Sequence, residues 1–283
     1  MRTLVKRSIF CVSWTPWPQR HACASTPMEG LLTGLLTALL TGLSVLAAPS
    51  AFASDSNEAA PSTQESITLN YRGDAFALNS GNLLYTEHHT LTLDAQSQAP
   101  LHRLTSYQDA DTREFARKEN TYSDNPATPE FSLRDSRLEY RESLNFDGKR
   151  WRSEFTENGK TSKAKLGKPD YTPVVDSGFD EFVRVAWPKL LKGKTVNFSF
   201  AVPSREEWVN FRLIPVQQSE STLTVEMRLK SRLIAWLLDP VKLEYDLSSQ
   251  RLRTYRGLTN MKDAQGKGMV AEIRYHYPDE VTQ

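Results

Sequence analysis

The residues with the clearest capacity for chemistry are Glu87, His88 and His89, which follow one another between two threonines. A carboxylate beside an imidazole can exchange protons or hold a metal ion. Metal sites need two or three ligands converging at a fixed spacing, such as H-E-x-x-H on a helix, and that pattern is missing here. Successive side chains of a strand point to opposite faces, so Glu87 and His89 would share a face. The spacing allows a polar Glu87–His89 pair but predicts no metal site and no cofactor.

Two orientations of this pair are open. Glu87 and His89 have the parity of Leu83 and Leu91, which would place both polar side chains beneath the sheet. Alternatively, a β-bulge would reverse the inward–outward alternation, so that Glu87 and His89 face solvent, or this part of the strand would run past the edge of the core. The sequence favours the second alternative. An enzyme would require the pair to meet a third polar group in a pocket.

Motifs for nucleophilic catalysis are missing from the sequence. It contains no G-x-S-x-G, and carboxylate pairs such as Asp109 with Asp111 are typical of solvated surfaces. The two cysteines, Cys11 and Cys23, lie in a leader that we expect to be removed. The mature chain would then have no thiol for catalysis, disulfides or zinc binding. We therefore predict no catalytic residue and a protein that is not an enzyme.

A basic stretch with interleaved aromatic residues spans residues 148–168. Its cations alternate with Trp151 and Phe155, and they are Lys149, Arg150, Arg152, Lys160, Lys163, Lys165 and Lys168. Such a stretch could contact an anionic polymer or a lipid head group. Lysines on a hairpin also protect the edge of a sheet from aggregation, and the sequence favours this interpretation.

Large apolar side chains form the last set of candidate binding residues. A curved sheet whose concave face is incompletely covered would leave a groove suited to acyl chains. The residues expected to line such a groove are Trp187, Trp208, Leu233, Trp236 and Leu237. The alternative is that these side chains simply fill the core.

Strands must position nearly all of these residues. Apolar side chains alternate with polar ones in many short runs bounded by Pro, Gly, Ser or Asn, as in antiparallel meanders. Asp147-Gly148 and Asn158-Gly159 are each predicted to form a type I′ turn between paired strands. The stretch 245–277 contains Lys, Asp, Asn and Gly, but no helix follows its glycines as a phosphate-binding loop would require. We interpret its polar part as a turn between strands.

One segment, residues 174–193, has helical spacing instead. Its apolar stripe comprises Phe179, Phe182, Val183 and Ala186. Asp176 or Ser177 is expected to cap the helix, and Pro188 to end it. Residues 232–240 are too densely apolar for a stripe and could form a buried short helix, a strand covered on both faces or an apolar lid. The predicted fold is mainly β: a large curved antiparallel sheet or partly open β-barrel with one or two short helices.

The N-terminus resembles a secretory signal peptide. Basic residues precede an 18-residue apolar run from Leu31 to Ala48, and Ala51-Phe52-Ala53 fits a cleavage site. Met28 is a second possible start, and an uncleaved anchor is the alternative. We expect residues 1–53 to be the signal, 54–65 a flexible tether, 66–277 a single β-rich domain and 278–283 a tail. The mature protein would be periplasmic and without a transmembrane span.

Charge limits the class of partner. Removal of residues 1–53 leaves 31 basic and 33 acidic side chains, a net charge near −2. So balanced a surface predicts neither nucleic acid nor an anionic membrane as the main partner.

Two stretches carry a resemblance to known proteins. DSGFDEFVRVAWPKLLKGKTVNFSFAVPSR and VKLEYDLSSQRLRTYRGLTNMKDAQGKGMVAEIRY resemble a group of exported proteobacterial proteins of unknown function. The resemblance covers most of residues 66–277 through spaced aromatic, Gly and Pro positions, and it implies a periplasmic β-rich domain without a catalytic residue. In architecture alone, a curved sheet with one helix is similar to the periplasmic Lol-type lipoprotein carriers.

Two functions follow as hypotheses. The preferred one is a non-enzymatic periplasmic protein that binds an apolar ligand, a lipid or a lipidated partner, in the concave face of its sheet. The alternative is a structural or protein-interaction module of the cell envelope with a solid core. An exposed sheet edge or the basic hairpin would then contact another envelope protein.

Overall fold

The computed structural model describes residues 65–231 and 239–278. These residues form one sheet of 15 strands, one α-helix and one 3-10 turn. The helix α1 spans Gly178–Leu190, and the 3-10 turn spans Pro203–Arg205. The strands are β1 Ser66–Ala77, β2 Leu83–Asp94, β3 Pro100–Gln108, β4 Glu114–Thr121, β5 Glu130–Asp135, β6 Tyr140–Phe146, β7 Trp151–Glu157, β8 Lys160–Lys165, β9 Thr172–Val174, β10 Val196–Val202, β11 Glu207–Gln218, β12 Thr222–Leu229, β13 Val241–Asp246, β14 Leu252–Lys262 and β15 Gly268–His276.

The sheet is an antiparallel meander that does not close. Its order is β8-β7-β6-β5-β4-β3-β2-β1-β15-β14-β13-β12-β11-β10-β9, so the first and last strands of the chain pair at its centre. Only β9 and β10 run parallel among these neighbours. The two edges are β8 and β9. A mainly β fold built on one large curved sheet, as the sequence predicts, is therefore confirmed.

The sheet rolls up so that its two ends approach each other. The 3-10 turn between β10 and β11 contacts β6 and β7. Trp208 at the start of β11 donates a hydrogen bond from Nε1 to the carbonyl oxygen of Gly167, just beyond β8, at 2.9 Å. Register shifts at several strand pairs, including β1–β2 and β14–β15, add to the curvature because a bulge increases local twist.

The alternation of side chains along each strand decides which of them face the interior of the rolled sheet. In β13, Val241, Leu243 and Tyr245 are buried, whereas the intervening residues are more exposed. The buried apolar residues form two clusters. The first lies on β1–β7 and β14–β15 and includes Tyr85 and Tyr107. The second packs α1 onto β9–β13.

The helix lies against the sheet as predicted, but two details of the prediction are wrong. Ser177 occupies the predicted N-cap position, but its hydroxyl donates to the Asp176 carboxylate, and neither side chain caps the N-terminus with a hydrogen bond. Pro188 lies inside the helix, because a proline in the last turn removes only one of its final hydrogen bonds. The helix ends at Leu190, two residues after Pro188, and Gly193 closes the turn that follows it. There, a φ of 71° allows the amides of Gly193 and Lys194 to bond back to Leu190 and Lys189.

The predicted hairpin turns differ in outcome. Asn158 and Gly159 have φ of 51° and 72°, positive at both positions as type I′ requires, so that prediction is confirmed. At Asp147-Gly148 only the glycine has positive φ, and Phe146 pairs with Trp151 across a four-residue loop. Type I′ is therefore wrong there, because the Asp147 side chain accepts the amides of Lys149 and Arg150 and stabilises a longer turn. Residues 263–267 are a turn between β14 and β15, as predicted.

Candidate functional site

Strand β2 directs Glu87 and His89 into the roll. Tyr85, Glu87, His89 and Leu91 are all buried, with Glu87 and His89 only 5% and 7% exposed. The pairing of β2 with β1 and β3 is regular from Thr86 to Thr92, and its register shifts lie outside that range, so no bulge reverses the phase at Glu87 and His89 and the strand does not run past the core there. The favoured orientation from sequence is thus wrong, and the inward alternative is correct. Tertiary partners explain why two polar side chains are tolerated there.

Both ring nitrogens of His89 and Oε2 of Glu87 take part in hydrogen bonds. His89 Nε2 lies 2.9 Å from Glu87 Oε2, and His89 Nδ1 lies 3.1 Å from Thr105 Oγ1. Tyr275 donates its hydroxyl to Glu87 Oε2 at 3.2 Å. Burial lowers the pKa of His89, although its hydrogen bond to Glu87 opposes the shift. The neutral imidazole therefore donates to the carboxylate and accepts from Thr105.

Thr105, His89 and Glu87 form a hydroxyl–imidazole–carboxylate series with the order of a nucleophilic triad. Thr105 is fully buried, however, and the ring of Tyr71 stacks on His89 with centroids 4.3 Å apart and planes 2° apart. No face of the hydroxyl is open to a substrate in this conformation. The arrangement therefore links the four neighbouring strands β3, β2, β1 and β15 along the inner face of the sheet.

Charged side chains extend this arrangement across the roll. We call the eight inward polar residues the polar belt: Glu87, His89, Arg103, Thr105, Lys118, Asn120, Asp176 and Asp180. Lys118 Nζ lies 3.1 Å from Asp176 Oδ2, and Asn120 Nδ2 donates to the same oxygen at 3.0 Å. Arg103 Nη1 donates to Asp180 Oδ2 at 3.1 Å. These contacts explain why Asp176 does not cap the helix: its carboxylate instead anchors the start of α1 to β4.

Burial and neighbouring charges shift several pKa values around the belt. For Asp176, burial opposes ionisation, but Lys118 and the hydrogen bonds from Asn120 and Ser177 outweigh it and lower the pKa. For Glu142, which accepts a hydrogen bond from Tyr140 at 3.0 Å, burial dominates and raises the pKa to about 7. This carboxyl gains its charge only near neutral pH.

We expect Glu142 to make stability fall as the pH rises. Its folded pKa is about 7, above the ordinary 4.5, so the folded state binds a proton more tightly than the unfolded state. The favourable contribution is complete below about pH 4.5 and is lost as the pH rises through 7. Each pKa unit corresponds to about 1.4 kcal/mol, so the loss amounts to roughly 3 kcal/mol at most.

Urea unfolding of wild type and Glu142→Gln between pH 5 and 8 measures this loss. Gln keeps the shape without the titration, so the difference in unfolding free energy between the two proteins should change across this range. Glu119→Gln, on the outer face of β4, is the matched control. A wild type and a Glu142→Gln variant with parallel pH profiles would contradict the assignment.

The described residues contain no group of three or more His, Cys, Asp or Glu side chains arranged to hold a metal ion. Across residues 65–231 and 239–278, no helix is long and apolar enough to span a membrane.

The two apolar candidates within the described residues, Trp187 and Trp208, lie in different apolar clusters. Trp187 is 5% exposed and belongs to the second apolar cluster, where its ring meets the edge of Tyr245 at 5.9 Å. Trp208 packs against the first cluster and lines an open depression of about 360 Å³ together with Leu229 and Lys230. Leu233, Trp236 and Leu237 lie outside the described residues.

The basic hairpin β7–β8 forms one end of the sheet, as the sequence predicts. Its loops and strands from Asp147 to Lys168 contain seven cations and three carboxylates, a net charge of +4. Arg152 pairs with Asp147, and Lys163 pairs with Glu154 at 2.8 Å. Within the described part of the chain, five other cations of the hairpin have no carboxylate partner: Lys149, Arg150, Lys160, Lys165 and Lys168.

The opposite edge of the sheet is much less accessible. Strand β9 has only three residues, and Pro173 at its centre has no amide hydrogen to offer. Just beyond it, Val175 donates its amide to the carbonyl of Ala127 at 3.0 Å, which ties the chain to the loop before β5. The sheet therefore has one blocked edge and one open edge, β8.

Comparison with known proteins adds one solved structure. No family model matches the chain, and neither does any curated protein. Among solved structures, the chain is similar to the β-barrel-like protein of the domain of unknown function DUF1849 from Brucella abortus. It is 10% identical, has a TM-score of 0.41, and covers 75% of this chain and 98% of its own. We take no residue's role from it.

Proposed function

We propose that this chain is a non-enzymatic module of the cell envelope that acts through its surface. In this proposal, residues 1–53 direct export to the periplasm, residues 54–65 are a tether, and the sheet forms the working domain. Its rolled sheet serves as a rigid support, and its open edge contacts another envelope component. This is the solid-core alternative of the sequence analysis.

The filled interior carries the proposal. Four large aromatic side chains from both apolar clusters are less than 2% exposed: Tyr85, Tyr107, Tyr245 and Phe198. Between the clusters, the polar belt is held by ion pairs and hydrogen bonds. A few buried polar atoms of the described residues, including Arg103 Nε and Asn120 Oδ1, have no hydrogen-bond partner. A ligand-binding interior would in addition present an apolar cavity of several hundred Å³. The close packing of these side chains supports the proposal that the domain acts as a scaffold.

Binding of an apolar ligand, a lipid or a lipidated partner, remains a second candidate because of the depression beside Trp208. Its volume of about 360 Å³ lies within the range of small-molecule sites, and Trp208, Val209 and Leu229 give it an apolar part. Lys230, which also lines it, supplies a charge that suits a carboxylate or phosphate head group, whereas Arg205 is already paired with Glu207.

Thermal unfolding in the presence of a fatty acid or a lysophospholipid, each below its micelle concentration, distinguishes the two candidates. A ligand at 100 times its dissociation constant stabilises the folded state by about 2.7 kcal/mol, which raises the melting temperature by several degrees. We expect no such rise. A concentration-dependent rise that Trp208→Ala removes would favour the apolar-ligand candidate.

A further inference from the structure

We infer that the edge strand β8 binds an extended segment in which acidic and apolar residues alternate, by adding that segment to the sheet. The inference rests on the proposed function and specifies its partner. Addition of a strand to an open edge is a common mode of peptide recognition, because the backbone supplies hydrogen bonds and alternate side chains supply specificity.

The backbone of β8 is available for such an addition. Its six residues pair with β7 on one side, and the described residues place no strand on the other. The strand contains no proline and has no register shift against β7, so it is a regular template. The carbonyl of Gly167, just beyond it, is held by Trp208, which fixes the end of the edge.

The outward side chains of β8 select for acidic residues. Thr161, Lys163 and Lys165 share the outer face, and Lys165 lies directly opposite Arg152. Like charges that face each other across a strand pair are unfavourable. A carboxylate in an added strand beside Lys165 would reduce this repulsion. A second copy of β8 would increase it, so the same lysines oppose self-association.

The inward side chains select for apolar residues. Ser162 and Ala164 are small, and they lie opposite Phe155 and Ser153 on the inner face. Phe155 is only partly buried, although it packs against the first apolar cluster. Apolar side chains of an added strand would pass over Ser162 and cover the exposed part of Phe155, which removes apolar surface from water. The partner therefore alternates carboxylates facing outward with apolar residues facing inward.

The test uses a fluorescent ten-residue peptide of alternating Glu and Val with blocked ends. It is titrated against the full mature chain, with anisotropy as the readout and amide exchange of residues 160–165 as a second measurement. We expect saturable binding and slower exchange in β8. Lys165→Glu with Lys168→Glu, at two cations without a carboxylate partner among the described residues, should weaken binding roughly tenfold, as two reversed exposed ion pairs predict, and a Lys-Val peptide should then bind instead.

Two controls separate strand addition from charge attraction alone. Lys192→Glu with Lys194→Glu makes the same charge change on exposed residues after α1, and it should leave binding unchanged. A peptide N-methylated at every residue keeps its carboxylates but has no amide donor on either edge, so it should not bind. Absent binding, equal binding of the methylated peptide or equal loss in the control variant would overturn the inference. A bound lipid would instead overturn the proposed function and leave these peptide results standing.

Discussion

Replacement of Asp176 by Asn should lower the free energy of unfolding by about 3 kcal/mol, the scale of a broken buried ion pair. Asp176 has a φ of 39°, which Asn tolerates, so backbone strain does not contribute. The substitution leaves the Lys118 ammonium, 11% exposed, without its carboxylate. Chemical denaturation at pH 7 with a constant denaturant slope measures the loss.

A double substitution provides the control for this prediction. Asp176→Asn leaves the Lys118 ammonium buried without its carboxylate partner. Lys118→Met removes that charge and keeps an unbranched apolar side chain in its place. The double variant should recover to within about 1 kcal/mol of wild type, because paired charges and apolar replacements of similar volume are nearly equivalent. Additive losses in the two single variants would contradict an energetic coupling between Lys118 and Asp176.

Replacement of Gly178 by Ala should cost about 3 kcal/mol or more, at the upper end of overpacking effects. A β-carbon at Gly178 would lie 2.3 Å from the carbonyl oxygen of Ala127 and 2.6 Å from Cδ of Pro129. That carbonyl already accepts the amide of Val175, so moving it away breaks a hydrogen bond that ties β9 to the loop before β5. The melting temperature should fall by several degrees.

Gly167→Ala is the matched substitution at an open position. A β-carbon there meets no atom within 4 Å, and its backbone is not left-handed. Its stability should stay within about 0.5 kcal/mol of wild type, as for ordinary surface positions. Similar losses in both variants would mean that the contact between Gly178 and Ala127 is not tight.

The strand pattern and the fold class could be predicted from the sequence because both depend on the spacing of apolar residues along the chain. Val241, Leu243 and Tyr245 alternate with polar residues and are buried as alternation requires. The edge position of β8 was also readable, because lysines at every second or third position protect an open edge.

The polar belt was not readable in the same way. In β4, residues 117–120 are Arg-Lys-Glu-Asn, and nothing in their order shows that Lys118 and Asn120 face inward while Arg117 and Glu119 face solvent. Their shared partner Asp176 lies more than 50 positions away and had a plausible local role as a helix cap. The one available signal was parity: Lys118 and Asn120 are separated by two, as are Glu87 and His89.

Local rules also misplaced the end of the helix. Pro188 is a strong stop signal, yet a proline in the last turn costs little when the carbonyl it leaves unpaired lies near the helix terminus. Gly193, five residues later, supplies the left-handed residue of the turn that follows the helix end at Leu190. The sequence contains both the proline and the glycine, and it does not show which of them lies closer to the end of the helix.

The central claim is that a filled, rolled sheet acts through its surface and contains no ligand. Native mass spectrometry with lipid extraction tests this most directly, on the protein produced with its own leader and isolated from the periplasm. The account predicts a single mass for the mature chain, with no apolar compound released on denaturation. A bound mass matching a phospholipid or fatty acid in near-stoichiometric amount would contradict it.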